Sequence, residues 1–326
     1  MVAYAGQAIL HATIAALVIE VLLWLWRVED PGERLGLRWV ALLSPLVLTT
    51  TYTVLAPGRS TEWFAHRWAI FAGMHWDEVR VGGLGFACAA TAALSMFGIA
   101  LYVRDAVPFL ADRVNRQARD TALPTTHPGV IRARTSLGAL PPGGFSRRPA
   151  LSVVDVASPV LLCSGLDRTA IVLSTGTLDC LDDDELAAAL AHELAHLEVR
   201  DPLTGWWLMT VRTLQFFNPV VQIVARQAVQ DLERRADLAV VRQGRARPLA
   251  GAILRLSRVP DTQSDLAPAP DRGSLLSRVT SSAHRHAVDD RCHLLLEETM
   301  PVPSPLNNCR VALAGAALTL LLYLVV

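Results

Sequence analysis

The sequence predicts a mainly α, membrane-embedded chain that carries one water-facing α+β domain. Three observations predict it. Just over half of the 326 residues are hydrophobic (52%) and the mean hydropathy is positive, which is high for a soluble globular protein. Long apolar runs cluster near the N-terminus and return at the C-terminus. Between them, short β-like runs give way from residue 182 to strong helical periodicity.

Residues 7–26, 37–56 and 82–103 are each close to the ~20 residues that cross a hydrocarbon core. A fourth run, 306–326, is borderline in length. The expected order is three transmembrane helices in 1–104, a soluble domain in 105–305 and a last helix in 306–326. No basic residue precedes the first run, so it reads as a retained anchor and not a cleaved signal peptide. His11 and Glu20 within it suggest hydrogen bonds between helices.

Arginine placement suggests the orientation. Arg27, Arg34 and Arg38 lie in the first short loop, and Arg104, Arg113, Arg116, Arg119, Arg132 and Arg134 follow the third run. Basic residues stay in the cytoplasm. The N-terminus is therefore expected outside and the domain at 105–305 inside, although loop 57–81 also holds Arg59, Arg67 and Arg80.

The net charge is +0, so no basic field invites nucleic acid. All thirty basic residues are arginine, a bias of the kind a GC-rich bacterium produces. The 5 cysteines are scattered without a CxxC pair, and fit neither a disulfide framework nor a thiolate metal site.

The soluble region opens with PPGGF at 141–145. The runs LSVVDV (151–156), PVLLC (159–163) and AIVLS (170–174) suggest a small antiparallel sheet, with Ser164, Gly165 and Asp167 in the turn between the last two. Residues 260–270, rich in Ser, Asp, Ala and Pro, read as a linker.

Asp182 followed by Glu185 has the spacing of a capping box. Leu186, Leu190, Leu194 and Leu197 then form one apolar stripe. His192 and His196 fall within roughly 40° of each other on the side away from it. Two imidazoles one turn apart can meet one tetrahedral zinc ion. Glu193, beside the first histidine, stands where a general base for the attacking water belongs. The bland alternative is an exposed face where the histidines pair with nearby acids.

A third ligand is needed. In QDLERRADLAV (230–240), Ala225, Val229, Leu232, Ala236 and Val240 form an apolar stripe, while Glu233 and Asp237 share the neighbouring face. One carboxylate can bind metal and the other can take the ring N–H of a ligating histidine. The competing reading pairs these acids with Arg234 and Arg235. The apolar segment 202–229 lies between the two helices. Asn218-Pro219 offers a break, and a helical hairpin is expected, with Trp206, Trp207, Phe216 and Phe217 at the interface or against the bundle.

STGTLDCLDDDELAAALAHELAHLEVRD, then FFNP, then LERRAD, resembles the membrane gluzincin zinc metallopeptidases. It is similar to the M56 group (BlaR1 and MecR1), with the M48 group (Ste24 and HtpX) as the close alternative. The likeness covers roughly 150–245. It implies a zincin-like α+β metalloprotease domain with one Zn2+ per chain, held by His192, His196 and Glu233. It makes Asp237 the acid that accepts the free ring N–H of a ligating histidine and Glu193 the catalytic base. It also implies that Ala170, Ile171, Val172, Leu173 and Ser174 form an edge strand that takes an extended peptide. The BlaR1-like sensors carry an extracellular penicillin-binding domain after their last span; none is expected here, so any signal would come from a membrane sensor partner or from loop 57–81.

The function expected is a multi-pass zinc endopeptidase of the bacterial inner membrane, cleaving a protein or peptide substrate at the cytoplasmic face, in regulatory proteolysis or quality control. The alternative is a signalling or scaffold protein that keeps the fold without hydrolysis. An oxyanion donor is expected; His284, His286 and His293 are its candidates. The sequence leaves substrate and oligomeric state open.

Overall fold

The computed structural model describes residues 2–70, 80–81, 84–110, 122–141, 149–164, 169–258, 288, 291–297 and 307–326. The expected linker at 260–270 and the candidates His284 and His286 lie outside these residues. The chain forms two compact units. One comprises Met1–Ala111, Gly205–Leu232 and Pro301–Val326; the other comprises Asp112–Thr204 and Glu233–Met300. The sequence places the hairpin at 202–229 within a continuous domain at 105–305. Most of it groups instead with the first unit, because Leu208, Val211, Val221 and Ala225 bury their side chains there.

The first unit is helical. Its elements are α1 (Val2–Leu25), α2 (Pro31–Leu55), α3 (Glu62–Arg67), a two-residue hairpin of β1 (Arg80–Val81) and β2 (Leu84–Gly85), and α4 (Phe86–Leu110). Among the described residues, two helical segments, Tyr4–Leu25 and Phe86–Asp105, are long and apolar enough to cross a membrane. The second expected run lies in α2, which contains Pro45 and has Glu33, Arg34 and Arg38 near its start. His11 lies 2.8 Å from the Thr49 hydroxyl, tying α1 to α2.

The second unit begins with α5 (Pro128–Ala139). Three strands follow, β3 (Ala150–Val154), β4 (Leu161–Ser164) and β5 (Ala170–Ser174), and then α6 (Thr175–Cys180) and α7 (Asp183–Glu198). The chain continues through α8 (Asp201–Leu214), α9 (Pro219–Arg242) and α10 (Ala246–Arg258), and α11 (Asn307–Tyr323) closes the described chain in the first unit. Asn218 accepts from the amides of Val220 and Val221, so it caps α9 just before Pro219. That cap makes the break of the hairpin.

The sheet corrects two expectations. Its order is β3-β5-β4, with β3 parallel and β4 antiparallel to β5, so it is mixed and not antiparallel throughout. Apolar patterning reports which face of a strand is buried and is blind to the direction of its neighbour. Ala170–Ser174 is also the central strand, not an edge. Its backbone bonds on both sides, and Ile171, Leu173 and Ser174 are fully buried. Such a strand has no free row of donors and acceptors for a peptide.

Ser174 closes the end of β5. Its hydroxyl accepts from the amides of Val160 and Thr177 and donates to the Ser158 carbonyl. At Gly176 a Cβ would stand 2.0 Å from the Ala157 carbonyl oxygen, so no larger residue fits there. Against this sheet packs α7, whose Leu186 and Leu190 are wholly buried with Val153, Ile171 and Leu173.

Candidate metal centre

The helix α7 begins as its sequence requires. The Asp182 carboxylate accepts from the Glu185 amide, and the Glu185 carboxylate accepts from the Asp182 amide, forming a capping box. The leucine stripe anchors the helix to the core, and this fixes the rotation that carries His192 and His196. Both histidines are buried, at 7% and 8% exposure, so they do not lie on a solvated face. On α9, Ala236 and Val240 are buried as expected; Val229 is 43% exposed and does not belong to the stripe.

The two imidazoles meet edge to face, with their Nε2 atoms 3.1 Å apart. The Glu233 carboxylate lies across both of them, Oε2 at 3.5 Å from the Nε2 of His192 and Oε1 at 3.6 Å from that of His196. Atoms held about 2.0–2.1 Å from one tetrahedral zinc ion stand about 3.3–3.4 Å apart. The three spacings match that figure, and His192, His196 and Glu233 form a group that could hold a metal ion.

The opposite ring nitrogens support this. Asp201 Oδ2 is 2.9 Å from Nδ1 of His196. Asp237 Oδ1 is 3.0 Å from Nδ1 of His192, close but off the axis of the ring N–H. A carboxylate at each Nδ1 favours the tautomer that holds its hydrogen there and turns the Nε2 lone pair inward. Two inward lone pairs and a carboxylate at van der Waals range repel each other unless a cation joins them. Without metal, a proton serves. Burial opposes the charge on His192, yet Asp237 and Glu233 outweigh it and push its pKa up to about 9. Burial would raise Glu233, but His192, with Arg291 and His196, holds it down to about 2. Asp237 is lowered against its own burial by His192 and Arg291.

Asp201 and Arg291 have no role among the sequence expectations, and Arg235 enters there only as a partner for Glu233 and Asp237. Asp201 begins α8 just past Arg200, whose φ of 58° makes the turn out of α7. Arg291 pairs with both oxygens of Asp237, at 3.0 and 2.7 Å, and with Glu233 at 3.1 Å. Arg235 donates to the second oxygen of Asp201. The arginine–acid pairing weighed against the ligands is thus present, but from Arg291 and around the cluster, where it leaves the inward faces free. Two carboxylates for two imidazoles was the one signal that pointed to Asp201. His293, the one oxyanion candidate among the described residues, is exposed.

Glu193 is half-buried beside the thiol of Cys163 on β4. Burial and then Glu193 push that thiol well above its ordinary pKa, so it stays neutral. The site helix packs along β4, one edge of the sheet. The Ser174 amide donates to the Val160 carbonyl at 2.9 Å, which sets the alternation of the ladder. Leu161 and Cys163 therefore turn their backbone N–H and C=O away from β5. At the other edge, β3 is partly covered by the Leu123 amide on the Val153 carbonyl.

Residues 142–279 match the family model described as BlaR1 peptidase M56. A Protease HtpX homolog of Salinibacter ruber (strain DSM 13855 / M31) is 28% identical over 129 residues, 39% of this chain and 38% of its own. A second, from Acidiphilium cryptum (strain JF-5), is 35% identical over 124 residues, 37% of this chain and 40% of its own. The chain thus spans about two fifths of the length of these relatives. The segment that builds the His192–His196–Glu233 cluster is the segment that matches the M56 peptidase model, and the chain is similar to the HtpX proteases of the M48 group.

Proposed function

We propose that the protein is a membrane-embedded zinc endopeptidase that hydrolyses peptide bonds of a protein substrate at the cytoplasmic face. The convergence of two imidazole Nε2 atoms and both oxygens of one carboxylate within 3.1–3.6 Å carries this reading. His192, His196 and Glu233 would hold the ion, and Asp237 and Asp201 orient the imidazoles. Zinc bound there would supply Lewis acidity to the peptide carbonyl and to the attacking water. Glu193 takes the proton from that water and delivers it to the departing amine nitrogen.

The peptide-binding role expected of β5 passes to β4. The outward donors and acceptors of Leu161 and Cys163 can pair with an extended chain and lay it alongside the helix that bears Glu193. Four membrane spans remain the proposed topology. Two apolar helices support it, as does the arginine excess in the loops assigned to the cytoplasm. A role in regulatory proteolysis or in quality control fits the same chemistry.

The test is metal analysis and cleavage of an unfolded protein by the full chain in detergent, beside Glu193→Gln. One zinc per chain in both proteins, with cleavage down about 10²–10⁴-fold in the variant, is expected. Zinc without cleavage in either would favour a scaffold that keeps the fold. Equal cleavage by both would remove Glu193 from the chemistry.

A further inference from the structure

The two histidines are not supported alike. At His192 the supporting carboxylate, Asp237, lies on the same helix as Glu233 and is gripped at both oxygens by Arg291. At His196 the supporting carboxylate comes from the turn after α7, and it divides its oxygens: Oδ2 faces the imidazole and Oδ1 faces Arg235. Arg235 stands on α9 two residues past Glu233.

We propose that Arg235 is a positioning residue of the metal site, acting on His196 through Asp201. The proposal rests on the metal reading above. Asp201 is 6% exposed, so its charge needs a partner that water does not supply. The carboxylate also needs an orientation, because one torsion would otherwise turn Oδ2 away from Nδ1 of His196. A guanidinium Nη2–H on Oδ1 supplies both: it brings the opposite charge and holds one oxygen of the acid while the other faces Nδ1 of His196. The link also ties α9, which carries the third ligand, to the end of the helix that carries the first two. Arg235 gives something up for this position: its Nε is buried and has no hydrogen-bond partner among the described residues. A residue placed for its own solvation would turn that group to water.

The experiment uses the full chain in detergent. Zinc dissociation constants are measured by competition with a chromophoric chelator for wild type, Arg235→Ala, Arg235→Gln, Arg234→Ala, Asp201→Asn and the double variant Asp201→Asn/Arg235→Ala. Arg234 is the exposed neighbour and controls for loss of a positive charge. Arg235→Ala is expected to weaken zinc about 10–100-fold, and Arg234→Ala by no more than about twofold. In the Asp201→Asn background the Arg235→Ala change is expected to cost little, since the acid it acts through is gone. The visible absorption of the cobalt(II)-loaded protein should shift in Arg235→Ala while the far-ultraviolet dichroism stays that of wild type. A merely structural clamp would not produce that pair of results. Should Arg235→Ala fail to fold, Arg235→Gln keeps the reach without the charge and carries the test. Wild-type affinity in the folded variant would overturn the proposal, and so would an equal loss with and without the Asp201 carboxylate. Wild type that binds no zinc at all would overturn the metal reading and this proposal together.

Discussion

Zinc binding should expel a proton, and the structure says which one. In the metal-free centre His192 carries a pKa of about 9, raised from 6.5 by Asp237 and Glu233 against its burial. At pH 7.5 the protonated ring then outnumbers the neutral one by about 30 to 1. Zinc takes only the neutral ring, so its apparent affinity at pH 7.5 is about 30-fold below the alkaline limit. Affinity should rise about tenfold from pH 7 to 8, about fivefold from pH 8 to 9, and flatten above, with Glu233 already ionised throughout. The proton released by His192 at pH 7.5 is about one per zinc. Titration calorimetry in buffers of different ionisation enthalpy counts it. Ionisation of zinc-bound water adds to the count, so Asp237→Asn is the reference: without that carboxylate His192 falls toward its ordinary value, and release should drop by more than about half a proton. The same proton count in both proteins would refute the assignment of the charge to His192.

Three other outcomes follow from the same contacts. For the metal-free protein, the raised pKa of His192 contributes stability that is complete below 6.5 and is lost as pH rises through about 9. The lowered pKa of Glu233 contributes stability complete above 4.5 and lost as pH falls through about 2. Thermal melts of chelator-treated protein should therefore show a midpoint near pH 6 above that at pH 10. Leu161→Pro removes an N–H that faces away from β5, so the sheet should persist and zinc should bind as before, while KM for an extended peptide rises about fivefold for one lost hydrogen bond. Leu190→Ala empties a fully buried site between α7 and the sheet, and chemical denaturation should show a loss of about 2–5 kcal/mol.

The parts of the centre that sequence reveals are those set by local periodicity. The capping box at Asp182, the leucine stripe and the paired histidines all lie within one helix, and their spacing alone fixes their relative faces. Glu233 and Asp237 follow the same logic on α9. The parts it hides depend on contacts between segments far apart in the chain. Arg291 meets Asp237 across 54 residues and Arg235 meets Asp201 across 34, and nothing in either neighbourhood marks the match. The sheet shows the same limit. The runs at 151–156, 159–163 and 170–174 locate the strands, but the side on which β3 pairs is decided by packing. The strand expected at the edge thus turns out to lie in the middle.

The lysine-free sequence has a consequence at this centre. The cations that grip its carboxylates, Arg235 and Arg291, are guanidinium groups, which keep their charge to about pH 12 and beyond. Alkali that silences the centre would therefore have to act on an imidazole, a thiol, a phenol or the bound solvent, and never on the clamps. Reagents aimed at primary amines would find no side chain to modify here, which leaves amine-directed crosslinking without a target at this centre and makes dicarbonyl reagents, which attack guanidinium, the fitting probe of how tightly those clamps are held.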